Sequence, residues 1–319
     1  MERYRTFSRY LKDLFGERVH KVTLDAGFTC PNRDGSKARG GCTYCDAEGS
    51  GPGAGRRVVP VREQIAEAVD HASKGKNPPR KFLAYFQAYT NTYAPIEKLR
   101  SLYDEALDHP DVVGLDISTR PDCVPESVLD LLTGYHERTH LWLELGLQSA
   151  TDETLRRVNR QHTVDDFVDA VERAHQRGLR VCTHAIFGLP GETREMMIWT
   201  ADLVAALRVE GVKFHSLYLV PGTKMAEEVH ERNIPLLSQD EYVTVVCDAL
   251  ERLPPETVIQ RLTGDPPPGI PPDPVWTGDK NTTIRKINKE LERRGTRQGG
   301  RHDTSDPLRV KRSLLTVLR

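Results

Sequence analysis

Cys30, Cys42 and Cys45 stand in a C-x11-C-x2-C spacing inside a Gly- and charge-rich stretch, TCPNRDGSKARGGCTYCDAEG, residues 29–49. Cysteines so grouped bind metals or exchange disulfides. Structural zinc takes four protein ligands, commonly as two short-spaced pairs. Here one pair is joined by a lone cysteine, and the next, Cys123, lies far along the chain. His20 sits just upstream, but its spacing matches no zinc pattern. A redox C-x2-C pair usually opens a helix in a small βαβ domain; it would leave Cys30 unused. Three thiolates on a four-iron cluster leave one iron without a protein ligand. That iron is open to a small molecule bound through nitrogen and oxygen.

The surrounding sequence must place these thiols. HKVTLD (20–25) reads as a strand leading straight into the cysteine loop. Further short apolar runs at 81–87, 112–119, 140–149, 179–190 and 212–220 read as strands. Between and after them, helical periodicity marks 95–107, 125–136, 164–178, 194–209 and 238–253. This alternation argues for βαβ units and a parallel sheet. Six strands point to an α/β fold, a partial (β/α)6 TIM-like barrel. In such a barrel, chemistry sits in the loops after the strand C-termini, the face that carries the cysteine loop.

Three parts are expected: an N-terminal helical extension (1–19), the barrel (20–255) and a small C-terminal α extension (256–319). In the last, 257–262 suits one more strand and 264–276 is a proline-dense extended loop. Residues 281–294 read as a helix and 295–306 as a flexible linker.

The net charge of −1 argues against a globally basic nucleic-acid binder. From Lys280 to Arg319, however, 12 Lys/Arg face 4 Asp/Glu. This basic tail suits solvent, or contact with RNA or an acidic protein partner. No apolar run is long enough to span a membrane, and no signal peptide is visible. A cytoplasmic protein is expected, in whose reducing surroundings clustered cysteines are more often ligands than disulfides.

A strand followed by a three-cysteine loop ending in C-x2-C, with Tyr44 before the last cysteine, resembles radical S-adenosylmethionine (SAM) enzymes. The common spacing there is C-x3-C-x2-C, so the eleven-residue first gap departs from the majority. It resembles the radical domain of the Elongator catalytic subunit and, through CPNRDG…GGCTYC, the YhcC-like group. AYFQAYTNTYAP (84–95), ISTRPDC (117–123), LELGLQSA (143–150), HAIFGLPGET (184–193) and RLTGDPPP (261–268) follow that group's pattern in order. The resemblance implies a 4Fe–4S cluster on Cys30, Cys42 and Cys45 whose open iron binds SAM. It implies reductive cleavage to a 5′-deoxyadenosyl radical acting on an unknown substrate, with an electron donor such as a flavodoxin or ferredoxin. Two alternatives remain: a non-enzymatic iron–sulfur module docking a redox partner, and an Elongator-like tRNA-modifying enzyme.

Further positions carry cofactor expectations. The Gly-Gly-Glu motif that often holds the methionine ammonium is absent. Gln87, Thr90 and Asn91 offer oxygen acceptors in its place; otherwise Asn91 and Thr92 cap the helix at 95–107. By resemblance, Gln148 and Ser149 lie near the ribose, and Ile186 and Gly188 near the adenine. Alternatively Ser149 or Thr151 caps the following helical turn. Glu144 sits in an apolar run, where a carboxylate is costly unless paired or ligand-bound. Glu192 suits the N-terminus of the helix at 194–209. His184 and His215, on neighbouring strands, are either core residues or proton handlers. Arg120 either pairs with Asp122 or binds an acidic substrate group. Cys123, Cys182 and Cys247 read as ordinary thiols, Cys123 being the one at a strand's C-terminal end.

Overall fold

The computed structural model describes residues 2–46, 49, 59–266, 269 and 271–302. Seven strands, all parallel and in sequential order, form a curled half-barrel. They are β1 (Val19–Leu24), β2 (Lys81–Phe86), β3 (Val112–Thr119), β4 (His140–Gln148), β5 (Val181–Phe187), β6 (Gly211–Ser216) and β7 (Val258–Arg261). The partial TIM-like barrel expected from the alternation is therefore present, and residues 257–262 do supply a seventh strand.

The side-chain period of two along β4 explains how an apolar run can hold Glu144. Leu141, Leu143, Leu145 and Leu147 are fully buried in the main core. Each contributes about 1.5–3 kcal/mol by burial. The alternate residues, Trp142, Glu144, Gly146 and Gln148, face the barrel interior. That interior is polar.

Ten helices are described: α1 (Phe7–Phe15), α2 (Val61–Ser73), α3 (Ile96–Leu107), α4 (Glu126–His136), α5 (Asp152–Arg157), α6 (Val164–Gln176), α7 (Arg194–Ala206), α8 (Lys224–Glu231), α9 (Gln239–Arg252) and α10 (Lys280–Arg293). Thr163 starts α6 and Ser238 starts α9 through capping boxes with Asp166 and Glu241. Prolines 60, 95 and 125 precede α2, α3 and α4. The cap of α3 is thus Pro95, not Asn91 or Thr92.

The N-terminal arm closes the floor of the barrel. Thr6 bridges Ile259, and Ile259 N–H donates to Arg5 O at 2.8 Å. Phe7 and Tyr10 of α1 pack edge-on against Trp142, with ring centroids 6.2 and 5.7 Å away.

The linker expected at 295–306 is docked over its described part, 295–302. Gln298 Nε2 donates to Pro254 O at 2.6 Å and Thr257 O at 2.8 Å, and its Oε1 accepts from Arg5 N–H at 2.9 Å. Arg301 reaches the fully buried Glu251 at 3.0 Å. Polar composition gave the expectation of flexibility; these long-range hydrogen bonds overturn it. Residues 303–319 of the basic tail lie outside the described residues.

Candidate active site

One cavity opens among the C-terminal ends of the strands, and all three cysteines border it. The segment after α5 clamps their loop from below. Thr43 N–H donates to Val158 O at 3.0 Å, and Asn159 Nδ2 to Gly41 O at 2.7 Å. Asn32 Nδ2 returns to Asn159 O at 2.6 Å. Met225 N–H of α8 holds Thr43 O at 3.0 Å. Asn159 and Gln161 take positive φ, 55° and 61°, as do Tyr89 (63°) and Gln148 (72°) around the same cavity. Such backbone strain persists only where surrounding packing over-determines it.

The thiols are set in a field of cations. Arg160, buried, donates to Cys42 Sγ at 3.7 Å, to Gly146 O at 3.0 Å and to His162 Nε2 at 3.0 Å. Burial alone would raise the Cys42 thiol, but the Arg160 guanidinium outweighs it and brings the thiol below its ordinary value. Arg33 Nη2 donates to Cys45 Sγ and to Cys45 O, both at 3.2 Å. Asn32 Nδ2 lies 3.6 Å from Cys42 Sγ. Among the described residues, no three His, Cys, Asp or Glu side chains converge as a single metal ion would require. A four-iron cluster makes no such demand, since each thiolate meets a different iron. His20, the possible fourth zinc ligand, lies on an exposed face with its ring edge-on to Phe82.

Of the expected cofactor residues, Tyr44, Gln87, Thr90, Glu144, Gln148 and Ile186 border the cavity. Gln87 Oε1, Thr90 Oγ1 and Gln148 Oε1 are each buried without a hydrogen-bond partner, and the buried Tyr44 OH lies against the Cys42 thiol. Buried polar atoms are normally satisfied, so three orphans around one cavity mark a place suited to a polar ligand.

Asn91, Ser149 and Gly188 are not part of that wall. The Asn91 amide spans Phe86 O (3.0 Å) and Ser118 O (2.8 Å), tying the β2 loop to β3. Ser149 donates to Glu192 and accepts from Thr151 N–H at 3.1 Å. Gly188 turns the chain just past β5 with φ 94°. Thr151 is the N-cap of α5, without a side-chain cap bond.

The cavity floor is an ionic network on β1, β2, β3, β4 and β6. Lys213 pairs with Glu144, and Lys21 with Asp116. Tyr85 OH lies 3.2 Å from both Glu144 Oε1 and Lys213 Nζ. Glu144 is therefore paired by a lysine. Burial opposes its charge, and Lys213 more than restores it. His184 and His215 line the same cavity with rings 5.4 Å apart, edge to face. Burial drives both far below the ordinary histidine range, so both are neutral at pH 7. Arg120 holds Asp122 with two bonds, 2.9 and 2.8 Å. Cys123 is buried beside Asp122, and burial pushes its thiol up to about 12. Cys182 and Cys247 are buried thiols with raised pKa.

Family comparisons agree with this geometry. Residues 32–204 match the family model of the radical SAM superfamily. The chain belongs to the radical SAM superfamily. Residues 209–293 match the Radical_SAM C-terminal domain. YtqA of Bacillus subtilis is 46% identical over 298 residues, 93% of this chain and 92% of that protein. YhcC of Escherichia coli K12 is 38% identical over 282 residues, 88% and 90% of the two. The archaeal Methanocaldococcus infernus Elp3 shares the radical SAM fold at a TM-score of 0.62 and 18% identity. That alignment covers 88% of this chain and 64% of the other.

Sequence reasoning missed Asn32, Arg33, Asn159 and Arg160. The clamp on the cysteine loop joins residues 118 apart, Asn159 to Gly41 and Arg160 to Cys42. RRVNRQHT is polar and short-range patternless, so it reads as a loop. Its one local signal is that it lies a short helix beyond the LELGLQSA strand, on the side of the sheet's C-terminal ends.

Proposed function

We propose that this chain is a radical SAM enzyme in which Cys30, Cys42 and Cys45 hold a 4Fe–4S cluster with one open iron. The observation that carries this is the meeting of the three thiols and the orphaned atoms of Gln87, Thr90 and Gln148 in one cavity. When bound, cluster and SAM together supply one electron and a breakable carbon–sulfur bond, and hence a 5′-deoxyadenosyl radical.

The chain's own residues do the rest. Arg33, Asn32 and Arg160 direct N–H groups at the thiolate sulfurs and offset their charge. Gln87 Oε1 and Thr90 Oγ1 offer acceptors to the cofactor ammonium, and the spare Arg120 Nη1 offers a donor to its carboxylate. Gln148 and Ile186 receive the ribose and adenine. Neutral His184 and His215 offer ring nitrogens for hydrogen bonds to the substrate, His215 through Nε2 since its Nδ1–H donates to Ser216 O at 2.9 Å. A flavodoxin or ferredoxin is the electron donor class that suits a buried low-potential cluster.

The test is electron paramagnetic resonance of the anaerobically reconstituted, reduced protein with and without SAM. A four-iron signal that changes shape on adding SAM is expected, with 5′-deoxyadenosine among the products. Cys→Ala at any of the three positions abolishes both. A signal indifferent to SAM would make this a module that docks a redox partner.

A further inference from the structure

Five cationic side chains border the cavity: Arg33, Arg120, Arg160, Lys213 and Arg261. Four are committed. Arg33 and Arg160 serve the cysteine loop, Lys213 is held by Glu144, and Arg120 is held by Asp122 with its remaining Nη1 assigned above to the cofactor carboxylate. Arg261, half-buried, makes no hydrogen bond or ion pair among the described residues. It sits at the end of β7 as the register partner of Lys213 and opens the RLTGDPPP stretch, which the cofactor reading leaves unused.

Its position is built. Gly264 N–H donates to Ser216 Oγ at 2.7 Å, fixing the end of β7 onto β6. A β-carbon on residue 264 would stand 2.8 Å from Ser216 O and 2.9 Å from the Tyr218 ring, so only glycine allows this approach. His184, His215 and Tyr218 share the cavity wall with Arg261. The guanidinium charge acts on all three, lowering each pKa against or alongside the effect of burial.

We infer that Arg261 is the receptor for a carboxylate group on the substrate, flanked by His184, His215 and Tyr218. This rests on the cavity being where substrate meets cofactor. A guanidinium fork matches a carboxylate or a phosphate in two parallel bonds. The single charge of Arg261 is matched by a carboxylate monoanion. A phosphate dianion would leave uncompensated negative charge beside Glu144, Asp265 and the thiolates, and Asp265 already leans on Lys280 only at 4.0 Å.

The experiment uses reconstituted, oxidised protein and N-acetylglycinate as probe, read by saturation-transfer nuclear magnetic resonance. Saturable binding to the wild type is expected, with no binding of the neutral N-acetylglycinamide and no displacement by inorganic phosphate. Arg261→Gln should weaken binding by about tenfold or more, the loss of a charge-assisted pair. Arg261→Lys should fall between, keeping the charge but losing the fork. Melting curves check that both variants fold; if R261Q does not, R261K and the amide control decide. Equal binding by R261Q and wild type, or no binding by wild type, overturns the inference. So does displacement by phosphate, which would make the anion a phosphate. SAM cleavage by the wild type is followed in the same preparation. Cleavage without probe binding sinks only the carboxylate site; probe binding without cleavage sinks only the radical reading.

Discussion

Arg160 occupies the space that a side chain at Gly146 would fill. Its Nη2 donates to Gly146 O at 3.0 Å and lies 2.6 Å from where a β-carbon on residue 146 would stand, sharing that space with Gln148 Nε2 at 2.5 Å. The glycine on β4 thus admits the guanidinium that reaches Cys42, joining strand, clamp and cysteine loop.

Gly146→Ala should therefore displace Arg160 from Cys42. Overpacking of this kind costs about 1–3 kcal/mol, so the variant should fold with a lowered melting temperature. Iron and sulfide per chain after reconstitution should fall several-fold. Wild-type loading in G146A would remove Arg160 from the assembly of the site.

Lys213 and Glu144 form a pair with side chains only 4% and 2% exposed. Removing one partner strands the other, which typically costs about 3–5 kcal/mol. Lys213→Met should lower the urea midpoint accordingly. The double variant K213M/E144L should regain most of that loss. If K213M alone unfolds no more easily than the wild type, the pair contributes nothing to the floor's stability.

His140, among Tyr10, Phe15 and Trp142, is pushed down to about 4 by burial, with Arg180 adding to the shift. The folded chain thus refuses a proton that the unfolded chain accepts below pH 6.5. Stability from this group is complete above that pH and is lost as pH falls toward 4. His162, pushed down to about 3 by burial and Arg160, works in the same direction. Denaturant midpoints measured from pH 7 to pH 4 should fall. His140→Phe should reduce the slope by up to one proton, and an unchanged slope would contradict the assignment. At pH 7, H140F should cost little, because it also removes a buried Nε2 that has no partner.

Gln298 ties Pro254, Thr257 and the arm residue Arg5 together. Gln298→Ala should leave buried carbonyls unpaired and cost about 1–3 kcal/mol. Faster proteolysis of the N-terminal arm should accompany it. An arm as resistant as the wild type's would show that α1 docks by its aromatic contacts alone.

The sheet was legible because parallel strands buried on both faces leave apolar runs that need no context. Residues 112–119 coincide with β3, and the other runs lie within a few residues of their strands. α2 was passed over although Val61, Ile65, Ala68 and Val69 carry a helical stripe. α5 and α8 are short and polar, and their packing, not their periodicity, makes them helices. In the site, the cysteines announce themselves by spacing. Arg160 and Arg261 do not, because what distinguishes them is which partner they have or lack across the barrel. Glu144 was flagged by the cost of burying a carboxylate, but its partner Lys213, 69 residues away, was not visible.

The closed floor also bears on how the chain is made. Arg5 meets Gln298 across 293 residues, and Thr6 lies on the last strand of the sheet. During synthesis the arm emerges well before Ile259 and Gln298, two of the residues it docks on. Until β7 and Gln298 have been made, α1 lacks the backbone and amide partners that fix it to the base of the barrel. Closing so large a loop costs little more entropy than closing one half its length. The seal is thus a late event in biogenesis, and a chain that stalls before β7 would display an open hydrophobic base to the chaperones that meet it.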